Sequence, residues 1–172
     1  MTTETWVDKS DWGDGPWQEE PDRIEWRDGE YVCLMLRNPS FGMWCGYVGL
    51  RSEHPWHGKG YDDIEGASVH GGLTFAGPCM DDDRPQRERV CHMPLPGEPE
   101  DLWWLGFDCH HYMDLAPGMR AFERRMGDEY EAKGDMKSAE LFRRGPEGYT
   151  YRHVAYVRSE VEDLVAQAKE AA

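Results

Sequence analysis

No stretch of this chain is apolar for long enough to cross a bilayer as a helix, which takes about 20 residues. Its opening residues, MTTETWVDKSDWGDG, have neither the basic start nor the apolar middle of a secretory signal. A cytoplasmic protein with no membrane partner is therefore expected. Cysteine is sparse and scattered: Cys33, Cys45, Cys79, Cys91 and Cys109 include no C-x-x-C pair. That argues against a zinc site built from cysteines alone, and in a reducing cytosol it predicts free thiols, several of them buried as small hydrophobes. The chain also lacks the G-x-S-x-G nucleophile elbow, the G-x-x-x-x-G-K-[ST] phosphate loop, the G-x-G-x-x-G dinucleotide fingerprint and the H-E-x-x-H zinc helix. Common routes to serine hydrolysis, nucleotide hydrolysis and dinucleotide chemistry lose their support. Bases are few, 19 Lys and Arg against 34 Asp and Glu for a net charge of -15. A nucleic-acid phosphate backbone is not expected to be a direct partner.

What the chain does have is enough length for one domain with a real core, 172 residues, and 12% aromatics including eight tryptophans. Residues 1–30 hold ten acids and three bases, so about half of the charge imbalance sits in a short leader. Residues 1–23, with Trp6, Trp12 and Trp17 but no apolar period, read as an irregular acidic arm that packs on the domain or on a second chain, which makes a homodimer the expected assembly. A nucleic-acid mimic would spread its acids over a continuous face instead. A single domain follows over residues 24–172. IEWRDGEYVCLMLRN reads as two strands around an Asp28-Gly29 turn, MWCGYVGL as a third strand, VHGGLTFAG as a fourth and LWWLGFDCHH as a central fifth. Two long polar loops, RSEHPWHGKGYDDIEGAS and PCMDDDRPQRERVCHMPLPGEPED, separate them. Residues 119–144 read as an inserted helical segment divided by Gly127 and Gly134. Residues 152–170 carry the clearest signal, an apolar stripe of Val154, Val157, Val161, Leu164, Val165 and Ala168 at helical spacing. Strands first and helices last predict an α+β fold: a largely antiparallel sheet of about five strands covered by a C-terminal helix.

Polar residues gather where these strands end. The loop EHPWHGKGYDD holds His54, His57, Lys59, Asp62 and Asp63; His70 opens its strand; Asp108, Cys109, His110, His111 and Asp114 close the central one. Two chemistries compete for them. A pocket for a small ligand would use Trp56 and Tyr61 to stack on a flat ring, Lys59 to offset a phosphate, Gly71 and Gly72 to let backbone amides approach, and Asp62, Asp63, His70, Asp108 and His110 as polar contacts. It needs no cofactor. A divalent transition metal would instead draw ligands from His54, His57, His70, Asp108 and His110, with Asp62 or Asp63 as a base, although the spacing matches no known metal signature. The plainer alternative is that His70 and Asp108 hydrogen-bond each other or nearby backbone, as buried polar groups must. Most of the aromatics would then be core.

The string GYVGL…HPWHGKGYDDIE…VHGGLTFAG…WWLGFDCHHYMD…YRHVAYVRSEVEDLVAQ resembles a group of small proteins encoded by tailed bacteriophages. The likeness covers roughly residues 44–114 and the terminal helix. It implies a small accessory protein in the host cytosol, of the kind that counters host defence by sequestering a nucleotide-like signal or by binding a host protein. Three expectations follow: a non-catalytic binder of a small, nucleotide-like ligand; a metal-dependent hydrolase such as a phosphodiesterase; and an acidic inhibitor that docks on a host factor through residues 1–23.

Overall fold

The computed structural model describes residues 1–80 and 83–172, so within the second long loop residues 81 and 82 lie outside the described residues. Six strands form one antiparallel sheet in the order β1-β2-β3-β4-β6-β5: β1 Thr2–Glu4, β2 Arg23–Asp28, β3 Tyr31–Arg37, β4 Trp44–Leu50, β5 Phe75–Pro78 and β6 Trp103–Asp108. Three helices follow, α1 Pro117–Ala132, α2 Met136–Arg144 and α3 Val154–Ala171. The α+β expectation holds, with one strand more than anticipated. Among the described residues no helix is long and apolar enough to cross a membrane.

The β2–β3 hairpin closes on Asp28 opposite Tyr31, leaving a two-residue loop. Gly29 takes its first position at φ 63°, where a tight hairpin turn calls for a left-handed residue. All seven residues of β3 are buried, because both sheet faces are covered. This is why its sequence runs apolar without alternation. On one face Met35, Trp44, Val48, Leu105 and Phe107 pack with Val157, Val161, Leu164 and Val165 of α3. A side chain at Gly46 would meet Phe107 and Val161 at 2.6 Å, so α3 lies directly on the backbone of β4. On the other face Val32, Leu34, Leu36, Tyr47 and Trp104 are covered by Val90 and Leu102. The loop bearing Val90 is pinned by the Arg23 guanidinium, which donates to the carbonyls of Arg89 at 3.1 Å and Cys91 at 2.6 Å.

One sequence expectation needs correcting here. Cys79 and Cys91 are not free thiols but form a disulfide across that same loop, while Cys33, Cys45 and Cys109 remain free. The leader packs on the domain, one of the two alternatives expected of it, and its first residues are strand. β1 pairs with β2, and Trp12 and Trp17 are buried against Ala121 of α1. Its tryptophans are thus used within the chain. Asp22 accepts hydrogen bonds from the Trp6 and Val7 amides at 2.8 and 2.9 Å and pairs with Lys9 at 2.7 Å and Arg37 at 3.0 Å. Much of the acidity of residues 1–30 is consumed in such pairs.

The inserted helices form an antiparallel hairpin. Gly127 does not divide it: that glycine is buried inside α1, where a side chain would strike Arg143 of α2 at 2.8 Å. The break falls at Gly134, with φ 79°, and Asp135 then caps α2 by accepting from the Ser138 amide at 3.0 Å.

Candidate functional site

The chain leaves β6 at Asp108 and turns back on itself. Cys109 extends the ladder by one bond to the Trp44 carbonyl, 2.9 Å, and its side chain is buried on the α3 face. The turn that follows is closed twice: the Asp114 amide donates to the His111 carbonyl at 3.0 Å, and the Asp114 carboxylate accepts from the His111 amide at 2.9 Å. Met113 sits at φ 73°, the only non-glycine residue with positive φ among the described residues. Such strain persists only where surrounding contacts impose it, and here Thr150 bridges the turn on both sides of Asp114.

A second segment reaches the same place along α3. The Ser68 amide and carbonyl bond the side chain of Gln167 at 2.6 and 2.9 Å, and the His70 amide donates to Glu160 at 2.7 Å. Gly71 and Gly72 then turn the chain at φ 67° and 90°, a pair of left-handed positions open to glycine. Of the stretch VHGGLTFAG only Phe75, Ala76 and Gly77 are strand, the start of β5; the His-Gly-Gly part is this turn. The His111 ring occupies the space where a Gly71 side chain would stand, 2.2 Å from the ring.

These segments meet around Asp114, which is buried. One carboxylate oxygen bonds His70 Nε2 at 2.7 Å and the other accepts from Arg152 Nε at 2.7 Å. His70 Nδ1 lies 3.0 Å from the Tyr156 hydroxyl, and the Arg152 guanidinium rests 5.0 Å from the Tyr156 ring. His111 Nδ1 is 3.7 Å from the Asp114 carboxylate and 4.0 Å from that of Asp108. Among the described residues it is a buried nitrogen with no hydrogen-bond partner. Burial alone would raise the Asp114 carboxyl, but the hydrogen bonds from His70, Arg152 and the His111 amide outweigh it and hold the group below the usual aspartate range. Burial, with the charge of Glu160 next, pushes the Tyr156 phenol up. One ligand atom from each of His70, His111 and Asp114 falls within a mutual 4.8 Å.

The residues expected from sequence divide between the two ends of β6. His70, Gly71, Gly72 and Asp108 belong to the cluster. His110 does not: its ring stacks on Phe41 at 5.3 Å. The loop of residues 54–63 departs from β4 at Leu50, which pairs with Trp103, whereas Asp108 pairs with Cys45. Five residue steps, about 17 Å, separate the two ends. There His54 is fully employed, with Nε2 bonded to the Ala168 carbonyl at 2.9 Å and Nδ1 accepting from the Trp56 amide at 3.0 Å. Both nitrogens of this candidate ligand are therefore taken. His57 lies beside the Trp103 ring at 5.8 Å. Trp56 is core, and Lys59 contributes its carbonyl to Trp103 Nε1 at 3.1 Å. Tyr61, Asp62 and Asp63 form one exposed short 3-10 turn. His70 pairs with Asp114 rather than Asp108. His111 and Asp114 stood in the polar gathering at the end of the central strand but were not named as contacts or ligands, and Arg152 and Tyr156 were not singled out at all; the signal available for the first two was the H-x-x-D spacing at the end of a strongly apolar strand.

Comparison of the chain with protein-family models, with curated proteins and with solved structures gives no match in any of the three.

Proposed function

We propose that this protein binds a divalent transition-metal ion through His70, His111 and Asp114 and, on the ion's open positions, a small anionic ligand. The observation carrying the reading is the cluster itself: two imidazoles and a carboxylate whose ligand atoms lie within 4.8 Å, one of them the unpartnered, buried His111 Nδ1. A buried nitrogen left without a partner costs about 1–3 kcal/mol, and an ion would supply what it lacks. Two histidines and one carboxylate leave coordination positions open for an exogenous ligand. The outer contacts suit the role as well. His70 Nδ1 meets Tyr156, and the second oxygen of Asp114 meets Arg152, the kind of bonds that orient metal-ligating side chains. An ion on Nε2 would leave the His70 proton on Nδ1, to be donated to the Tyr156 hydroxyl, which itself hydrogen-bonds Glu160. The motif string quoted above gives this activity its setting, a phage accessory protein that captures a small molecule.

A second reading has its own observation. Both ring nitrogens of His70 and both oxygens of Asp114 already have protein partners, so the cluster would serve as a clasp that fastens the strand ends to α3. Native mass spectrometry with added Co2+ or Zn2+ separates the two. Metal binding predicts one ion per chain, lost in His111→Ala while the melting temperature in chelator is unchanged. The clasp predicts no retained ion, and destabilisation by His70→Ala and Asp114→Asn alone.

A further inference from the structure

Resting on the metal reading above, we infer that the anion captured at this site is a phosphate group, gripped jointly by the ion and by the guanidinium fork of Arg152. Arg152 spends only Nε on Asp114, at 2.7 Å. Among the described residues its two terminal nitrogens make no hydrogen bond within the chain, and the side chain is 26% exposed. The guanidinium is held in place by its Asp114 bond and its seat on the Tyr156 ring, 5.0 Å away, leaving a pre-oriented pair of donors. Because the Asp114 carboxylate touches His70 with one oxygen and Arg152 with the other, that fork adjoins the position an ion would take.

The pairing selects the ligand. A carboxylate that fills a bidentate fork has engaged both oxygens and must share one of them with the ion, whereas a terminal phosphate has three and keeps one for the ion alone. The surrounding charge makes the binding conditional. Asp108, 4.0 Å from His111 Nδ1, and Glu160, bonded to the His70 amide, give the metal-free site an anionic border that repels phosphate. Phosphate therefore binds only to the metal-loaded chain. The phosphoryl group is common to nucleotides and to simple phosphate esters. Next to His111 the Tyr112 ring is 85% exposed, and it meets Tyr149 edge-on at 6.1 Å, so one face is open to a nucleobase.

The test uses the full chain loaded with Co2+, whose visible spectrum reports on its coordination, titrated with inorganic phosphate, glycerol 3-phosphate, AMP and, as the carboxylate control, acetate. The expected result is a saturable spectral change with the three phosphates and not with acetate, and no phosphate binding by calorimetry to the metal-free chain. Arg152→Lys, which keeps the charge but loses the fork, should still take up one Co2+ per chain at saturating metal and should weaken phosphate by about tenfold or more, the equivalent of one charge-assisted pair. Tighter binding of AMP, lost in Tyr112→Ala, identifies a nucleotide; equal binding of all three identifies the phosphoryl group alone; either upholds the inference. Co2+ bound with no response to phosphate, or Arg152→Lys binding phosphate as wild type does, overturns it while sparing the metal site. Failure to bind Co2+ overturns both.

Discussion

Replacing Asp22 with alanine should destabilise this protein more than any change on its surface. Asp22 and Arg37 are both fully buried. One Asp22 oxygen accepts the amides of Trp6 and Val7, and the other pairs with Lys9 and Arg37. Truncation strands two amide donors and removes the shared counter-charge of two buried cations. Breaking a buried ion pair from one side costs about 3–5 kcal/mol. The partners that remain, Glu20 and the Gly42 carbonyl for Arg37 and the Glu20 carbonyl for Lys9, keep the total near that range rather than above it. For a chain of this size each kcal/mol moves the midpoint by about 2–4 °C, so a fall of roughly 6–20 °C is expected. Circular-dichroism melts and urea unfolding measure it, with Glu129→Ala as control, because Glu129 makes only an exposed pair with Lys133 at 3.8 Å and should change stability by less than about 0.5 kcal/mol. If Asp22→Ala behaves like Glu129→Ala, the leader is only loosely attached to the domain. Deletion of residues 1–23 would then leave the domain folded, where the structure predicts its collapse.

Gly71→Ala places a side chain at φ 67° and 2.2 Å from the His111 ring; about 1–2 kcal/mol of backbone strain and a displaced His111 should reduce Co2+ affinity by at least about tenfold, and unchanged affinity would refute the role given to that packing. Thiol titration of the denatured, unreduced chain should find three free cysteines, and reduction of Cys79–Cys91 should lower stability by about 3 kcal/mol, the value for a loop of this length; five reactive thiols would remove the disulfide. Acid should destabilise the fold through Glu98 and Glu20. The Arg27 bond holds Glu98 at about 2, and for Glu20 the bonds from Tyr151, the Val154 amide and Arg37 outweigh a burial penalty that alone would raise it. A depressed folded-state pKa contributes stability that is full above the unfolded value, near 4.3, and is lost as pH falls through the folded one. Urea midpoints measured from pH 5 to pH 2 should therefore fall steadily, and less steeply in Glu98→Gln; parallel curves for the two proteins would contradict the assignment.

The secondary elements were legible wherever one local pattern dominated. The six apolar positions of α3 recur at helical spacing and all face the sheet or its margin. The Asp28-Gly29 turn announced its hairpin, and Gly134 announced the break between the helices. Gly127 misled because a glycine inside a helix signals either a break or a close approach, and only the neighbouring Arg143 distinguishes them. Where the leader packs stayed open for a related reason. Its acids give no hint of a partner until Arg37, the last residue of an apolar strand, is seen to require Glu20 and Asp22. A disulfide between Cys79 and Cys91 was likewise invisible, since spacing does not show that two loop ends converge to a Cα separation of 4.8 Å.

For the site, the sequence by itself determined that polar chemistry gathers at the ends of VHGGLTF and WWLGFDCHH, and that a helix covers the sheet beside them. Only the tertiary structure decided which polar residues share a site. In an antiparallel pair the exit of one strand lies beside the entrance of its partner. The loop leaving β4 at Leu50 therefore sits at the Trp103 end of β6, and the turn leaving β6 at Asp108 sits at the other. That one fact of pairing removes His54, His57, Trp56 and Lys59 from the cluster. It also brings in Tyr156 from α3 and Arg152 just before it, residues whose distance along the chain hides that they meet His70 and Asp114.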